Sequence, residues 1–397
     1  MSDSNFLILS CDGGGIRGLI TAMFIQQLDK KLNFLDKIDL FAGSSTGGII
    51  ALGLASGIDI STLVDIYSAT SNCSDIFSPY ILPNSWDQDE QNDLNSIENT
   101  LSSIDNFLNK IKDIPEVKSL ESDVQGLEND IESAKNALNE LNNLFYAKYD
   151  NTAKISLESV LKEKLPNSSQ TLASLTRKVM VATFQLFNSS GPYGGPSWQP
   201  ITLDNLSNNT IESQNTTVLD AALCTSAAPL YFPPHNHPTY GYCVDGGVFA
   251  NNPSTITLSR VINGGIAKLE DIKMLSIGTG INNNAIPSNY LSITDPLKYG
   301  ATTWLHPKEV DGPQSRFATP AFPLLQIIMD SSSILDDSQA KMFLGDKQYY
   351  RVNLPLMTEN IHLDSCSEIK TMESLVNKYL EQSEWTDAID WIQTNFS

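Results

Sequence analysis

Short apolar, β-branched runs alternate along this chain with longer stretches whose apolar positions recur every three to four residues. The first kind predicts strands at residues 6–11, 38–42, 178–184, 241–244, 272–277 and 348–353. The second predicts helices at 16–32, 47–55, 61–69, 156–165, 218–226, 253–262 and over most of 365–394. Alternation of this kind implies an α/β fold with a mostly parallel central sheet flanked by helices.

One segment follows a different rule. Leu94, Ile97, Leu101, Ile104, Leu108 and Ile111 are spaced alternately by three and four residues. After a break at Asp113-Ile114-Pro115-Glu116 the same spacing runs from Val117 to Phe145. A repeat averaging 3.5 residues is the coiled-coil pattern, and Pro115 sits where a second helix would begin. The expectation is an antiparallel helical hairpin over residues 86–150, its longer arm roughly 45 Å long. It interrupts a pattern that continues on both sides, so it reads as an insertion into one domain spanning 1–397. Residues 281–323 are loop-rich, with scattered Trp304, His306 and Phe317, and form a candidate cover over a site.

The net charge is −21, and residues 85–150 carry 15 acidic against 5 basic side chains, a net of −10. That balance excludes the basic stripe nucleic acid requires and gives no electrostatic attraction to anionic bilayers. The apolar run at residues 6–9 is short and lacks a basic flank, so neither a signal peptide nor a membrane span is expected. Cys11, Cys73, Cys224, Cys243 and Cys366 form no metal-like spacing, which reads as free thiols in a reducing compartment.

Three glycine-marked turns carry the candidate chemistry. "SCDGGGIRGL" places Gly13, Gly15 and Gly18 in a G-x-G-x-x-G spacing, with Asp39 further on. A nucleotide reading is disfavoured, because Asp12 would sit beside the pyrophosphate and Asp39 begins a strand rather than ending one. What remains is a run of backbone N–H groups at a helix N-terminus, suited to a phosphate or an oxyanion. "GSSTG" places Ser45 between Gly43 and Gly47 in the G-x-S-x-G spacing of a nucleophile elbow; a plain Gly/Ser turn is the alternative. "DGG" places Asp245 at the end of a short strand, either as a turn residue or as a general base.

None of His235, His237, His306 and His362 lies in a glycine-marked turn. His235 and His237 read as surface-loop residues, with no carboxylate cluster to make a metal site. A Ser45–Asp245 dyad therefore fits better than a triad, provided that burial raises the proton affinity of Asp245.

"DGGGIRG", "GSSTG" and "DGG", in this order and with "DAALCTSAAPLYFPP", "DGGVFANNPS" and "LSIGTG", resemble the patatin-like phospholipases over roughly residues 5–280, apart from the hairpin. The resemblance implies a lipid acyl hydrolase of phospholipase A or lysophospholipase type, with no metal and no cofactor. Ser45 is then the nucleophile and Asp245 the base. Gly13, Gly14 and Gly15 supply the oxyanion hole, Arg17 supports that loop or the developing charge there, and Gly43 and Gly47 shape the elbow. The implied partners are an acyl-lipid substrate and a membrane surface met peripherally from the cytoplasm, with export by a route independent of a signal peptide left open. The hairpin is not required by that fold. Residues 88–149 are expected to bind a protein partner or to self-associate. The alternative is a silent or partner-activated interaction protein that uses this arm.

Overall fold

The computed structural model describes residues 5–78, 147–150, 154–191, 194–207, 210–282, 322–356 and 361–396, with isolated positions between 99 and 131 and residue 304. The chain divides into two compact units, residues 1–78 with 151–397, and residues 79–150. In the second unit the described positions from 99 to 131 are helical. Most of the hairpin expected over 86–150, and most of the cover expected over 281–323, lies outside the described residues.

The first unit is built on an eight-stranded sheet, β1 (Phe6–Cys11), β2 (Leu40–Ser44), β3 (Lys178–Asn188), β4 (Ser197–Asp204), β5 (His235–His237), β6 (Gly241–Asp245), β7 (Ile272–Ile277) and β8 (Tyr349–Val352), in the order β5-β6-β3-β2-β1-β7-β8 with β4 also paired to β3. β3, β2, β1, β7 and β8 run parallel, while β4, β5 and β6 are joined by antiparallel pairings. β1 and β2 are buried almost throughout, as expected of parallel strands covered on both faces.

Among the described residues the helices of seven or more residues in this unit are α1 (Gly18–Leu32), α2 (Thr46–Ala55), α3 (Ile60–Ser68), α4 (Thr70–Ile76), α5 (Leu157–Lys164), α6 (Val218–Ser226), α7 (Ser254–Asn263), α8 (Pro323–Leu344), α9 (Ile369–Tyr379) and α10 (Ser383–Asn395). Side-chain alternation sorts the layers. Ile8, Leu40, Ala42, Met180 and Met274 pack on one face against Leu258 and Val261 of α7 and Ala340 and Leu344 of α8. Val181 points to the opposite face, where Gly48 of α2 comes close to it. No helix among the described residues is long and apolar enough to cross a membrane.

Four features depart from the sequence reading. β4 escapes the pattern because Pro200 interrupts it and its residues alternate in exposure, as on a sheet edge. α8 escapes it because apolar residues lie on both its buried and its exposed faces, which blurs the helical period. The histidine pair is not a surface loop. It forms β5, His235 Nε2 lies 3.0 Å from Asp220 Oδ1, and His237 is buried with Nε2 3.0 Å from Thr216 Oγ1. Finally, Cys73 and Cys366 form a disulfide across 293 residues, with Cα atoms 5.9 Å apart. Cys11, Cys224 and Cys243 are buried free thiols, so the all-thiol reading holds only for those three.

Candidate active site

Ser45 sits between β2 and α2 with φ 53° and ψ −127°, a left-handed backbone that a side-chain-bearing residue rarely adopts. Such a conformation costs about 1–3 kcal/mol and persists only where its surroundings impose it. Here they do. A Cβ on Gly43 would strike the Gly47 carbonyl, and a Cβ on Gly47 would strike the carbonyls of Cys11 and Asp12. Glycine at both positions lets the strand, the turn and the helix close on one another. The Ser45 N–H donates to Thr225 Oγ1 at 3.0 Å, and Thr225 Oγ1 donates to the Ala182 carbonyl at 2.6 Å. The elbow is thereby tied to β3.

The sheet brings Asp245 to the same place. Ser44 pairs with Ala182 on β3, and the next residue, Thr183, pairs with Asp245 on β6. Asp245 Oδ1 accepts the Gly247 N–H at 2.6 Å, and the Asp245 N–H donates to the Ala227 carbonyl at 2.9 Å. The carboxyl is almost fully buried, at 1% exposure, and burial pushes its pKa up to about 7. The Ser45 side chain and the Gly247 N–H hold it from rising further. The Ser45 contact falls short of a complete hydrogen bond, since Oδ2 has no partner.

The glycine loop lies beside the elbow; a Cβ on Gly13 would sit 3.0 Å from Ser45 Cβ. The Gly13 N–H donates to the Asn251 carbonyl at 2.9 Å and the Ile16 N–H to the Leu363 carbonyl at 2.7 Å. Between them, the Gly14 and Gly15 N–H groups make no hydrogen bond among the described residues. Gly15 has φ 57°, and side chains at Gly14 and Gly15 would collide with Thr279 and the Leu363 carbonyl. Arg17 is buried behind this loop. Its Nε lies 3.4 Å from the Gly14 carbonyl and its Nη1 3.3 Å from the Gly280 carbonyl, so it braces the loop, and it also lines a cavity of about 510 Å³ beside it.

Asp12 is occupied as well. Arg351 on β8 grips both its oxygens, Nη1 to Oδ1 at 3.0 Å and Nη2 to Oδ2 at 2.5 Å. Burial pushes the Asp12 carboxyl up, and the guanidinium opposes it. Burial would lower the Arg351 pKa, but the charge and hydrogen bond of Asp12, with Tyr349 and Asp337, together raise it. Nothing local in the sequence links Asp12 to Arg351, or Ser45 to Thr225; both partners arrive through the sheet.

A narrow apolar cavity of about 40 Å³ opens from Ser45 and is lined by Ile49, Ile76, Phe77, Leu161, Tyr231 and Leu363 among others. Ile76 belongs to α4, and Leu363 lies three residues before Cys366, so the disulfide ties two walls of this cavity together.

A three-layered α/β unit that carries a buried serine on a strained strand–helix turn, with an aspartate and a glycine loop beside it, has the architecture of a hydrolase. The chain belongs to the patatin-like phospholipase family, whose profile matches residues 9–258. It is 26% identical to a "cGAMP-activated phospholipase" of Escherichia coli over 72% of this chain and 65% of that protein, so it spans just under two thirds of that relative. It is 25% identical to "Patatin-like protein 4" of Arabidopsis thaliana over 93% of this chain and 81% of that protein. Among solved structures, VipD from Legionella pneumophila covers 96% of this chain at 14% identity with a TM-score of 0.33, too weak a likeness to argue from.

Proposed function

We propose that this protein hydrolyses fatty-acyl esters of lipids, as a phospholipase A or lysophospholipase, through an acyl-Ser45 intermediate. The observation that carries the reading is the pairing of an elbow serine with a buried aspartate whose pKa lies at about 7. A carboxylate of ordinary pKa is a weak base; one near neutrality is matched to the task.

In this mechanism Ser45 Oγ attacks the ester carbonyl while Asp245 takes its proton. The Gly14 and Gly15 N–H groups stabilise the oxyanion, assisted by the Thr46 N–H at the start of α2, which a helix leaves without an intrahelical partner. Gly13 is left out because its N–H is engaged by Asn251. Collapse of the intermediate expels the alcohol, which leaves with the proton from Asp245. Water, deprotonated by Asp245, then releases the fatty acid and restores Ser45. The apolar cavity beside Ser45 receives the acyl chain.

The cavity is too small for a long chain as it stands, which favours control by a ligand or a partner. Relatives named for activation by cGAMP are consistent with such control. Residues 88–149 remain the candidate partner-binding or self-association arm. The disulfide speaks against a reducing cytoplasm as the site of action, since such bonds persist in oxidising compartments.

The test is labelling by a fluorophosphonate probe with fatty-acid release from mixed phospholipid vesicles. Wild type labels and releases, while Ser45→Ala and Asp245→Asn do neither. Unlabelled, well-folded wild type would favour the silent interaction protein.

A further inference from the structure

α8 is 22 residues long, about 33 Å at 1.5 Å per residue, and among the described residues one side of it packs on the core, while Ile327 and Ile334 border a cavity of about 510 Å³ shared with Asp12, Arg17 and Arg351. Leu325, Met329, Ala340 and Leu344 are buried. The opposite side exposes Leu324, Ile327, Ile328, Ile334, Leu335 and Met342, with Ile334 at 66% and Met342 at 71% exposure. These positions, with the exposed Ser331 and Ser338 between them, form one continuous helical stripe. Its exposed positions include no carboxylate and Lys341 is the cation among them, while Asp330 and Asp337 lie half-buried along one edge. Exposed apolar stripes of this extent mark interaction surfaces.

α8 also touches the candidate site. Phe322, at its N-terminal edge, packs edge-on against Tyr231 of the acyl cavity, with ring centroids 5.3 Å apart. A Cβ on Gly247, beside Asp245, would lie 3.0 Å from Met329 Cε. The Ser332 hydroxyl accepts the Asn251 N–H at 3.3 Å, and Asn251 holds the glycine loop through the Gly13 N–H. One side of α8 thus supports the catalytic turns while the other carries the stripe.

We propose that the stripe on α8 is the surface by which this protein docks on a lipid bilayer, inserting apolar side chains into the interface of neutral lipid. This rests on the lipid-hydrolase reading. Charge argues for the neutral partner: with a net charge of −21 an anionic surface repels the chain, and a stripe with one lysine offers nothing to anionic headgroups. Docking therefore draws on buried apolar area, as in interfacial helices, and is insensitive to salt. Because α8 is already folded against the core, docking carries no cost of ordering a helix.

The test uses the full chain with phosphatidylcholine vesicles at low and high salt. Wild type co-sediments at both. Ile334→Asp with Met342→Asp reduces the bound fraction at least about tenfold, while hydrolysis of a water-soluble short-chain ester reports that the site is intact. Leu335→Trp, which keeps the stripe apolar, gives a blue-shifted emission on mixing with vesicles and is quenched by brominated phosphatidylcholine; this arm needs no catalysis and covers misfolding of the aspartate variant. The proposal is overturned if wild type stays in the supernatant, if the aspartate variant binds equally, if salt abolishes binding, or if the substitutions dissolve a dimer and leave vesicle binding unchanged. Absence of ester hydrolysis with intact vesicle binding would overturn the catalytic reading alone.

Discussion

Thr225 Oγ1 stands between two backbones, accepting the Ser45 N–H at 3.0 Å and donating to the Ala182 carbonyl at 2.6 Å. One hydroxyl fixes the strained turn to the neighbouring strand. Thr225→Val removes both bonds from a buried site and lowers stability by about 1–3 kcal/mol. It also loosens the nucleophile, so kcat falls at least about tenfold with little change in KM. Thr225→Ser keeps the hydroxyl and restores both. Denaturant melts and ester kinetics on the two variants check this; a fully active Thr225→Val would remove the positioning role.

The Ser45 backbone is held in a strained conformation, as the proposed nucleophile role would require. Ser45→Gly relieves it and raises stability by about 1 kcal/mol, after subtracting the extra freedom glycine gains in the unfolded chain. Ser45→Ala keeps the strain and gains nothing of that kind. Both variants are inactive. Equal midpoints for the two in urea would show that the turn is not strained.

Asp245 makes activity and stability run in opposite directions with pH. As the proposed base it must be ionised, so kcat/KM is expected to rise with pH through about 7 and then level. Its folded pKa is raised above the ordinary 3.8, so the folded state holds a proton that the unfolded state releases, and stability falls as pH rises from 3.8 towards 7. Asp245→Asn removes this penalty. At pH 8 it is inactive and more stable than wild type by about 2–4 kcal/mol, a difference that vanishes at low pH. Thermal melts across the pH range decide the matter.

The glycine loop admits no side chain. Gly14→Ala drives a methyl group into Thr279 and displaces an N–H group proposed to hold the oxyanion. The expected loss in kcat is about 10²–10³-fold, with KM changed far less. A larger effect on KM would mean that the loop binds substrate rather than the transition state.

The Cys73–Cys366 bond closes a long loop, so Cys366→Ser lowers stability by about 2–5 kcal/mol. Reducing agent destabilises wild type to the same level and leaves the variant unaffected. Because the bond joins two walls of the proposed acyl cavity, the variant is expected also to weaken any preference for one acyl-chain length, measured with a series of esters.

The geometry of the glycine-marked turns was legible in the sequence because it is local. Gly43, Ser45 and Gly47 lie within five residues, and the collision that demands glycine occurs between neighbouring turns. The run Gly13–Gly15 and the turn at Asp245 follow the same logic, and buried parallel strands advertise themselves through apolar runs that need no partner to be recognised. Tertiary structure decided everything that depends on a distant partner. It gave the Gly13 N–H to Asn251 and left Gly14 and Gly15 available. It paired Asp12 with Arg351 and Cys73 with Cys366, and set Thr225 under the elbow. It turned a histidine loop into an edge strand and left an apolar stripe of α8 exposed. Sequence records which groups need a partner; only the packed sheet, by choosing which strand ends lie side by side, determines which partner each one finds.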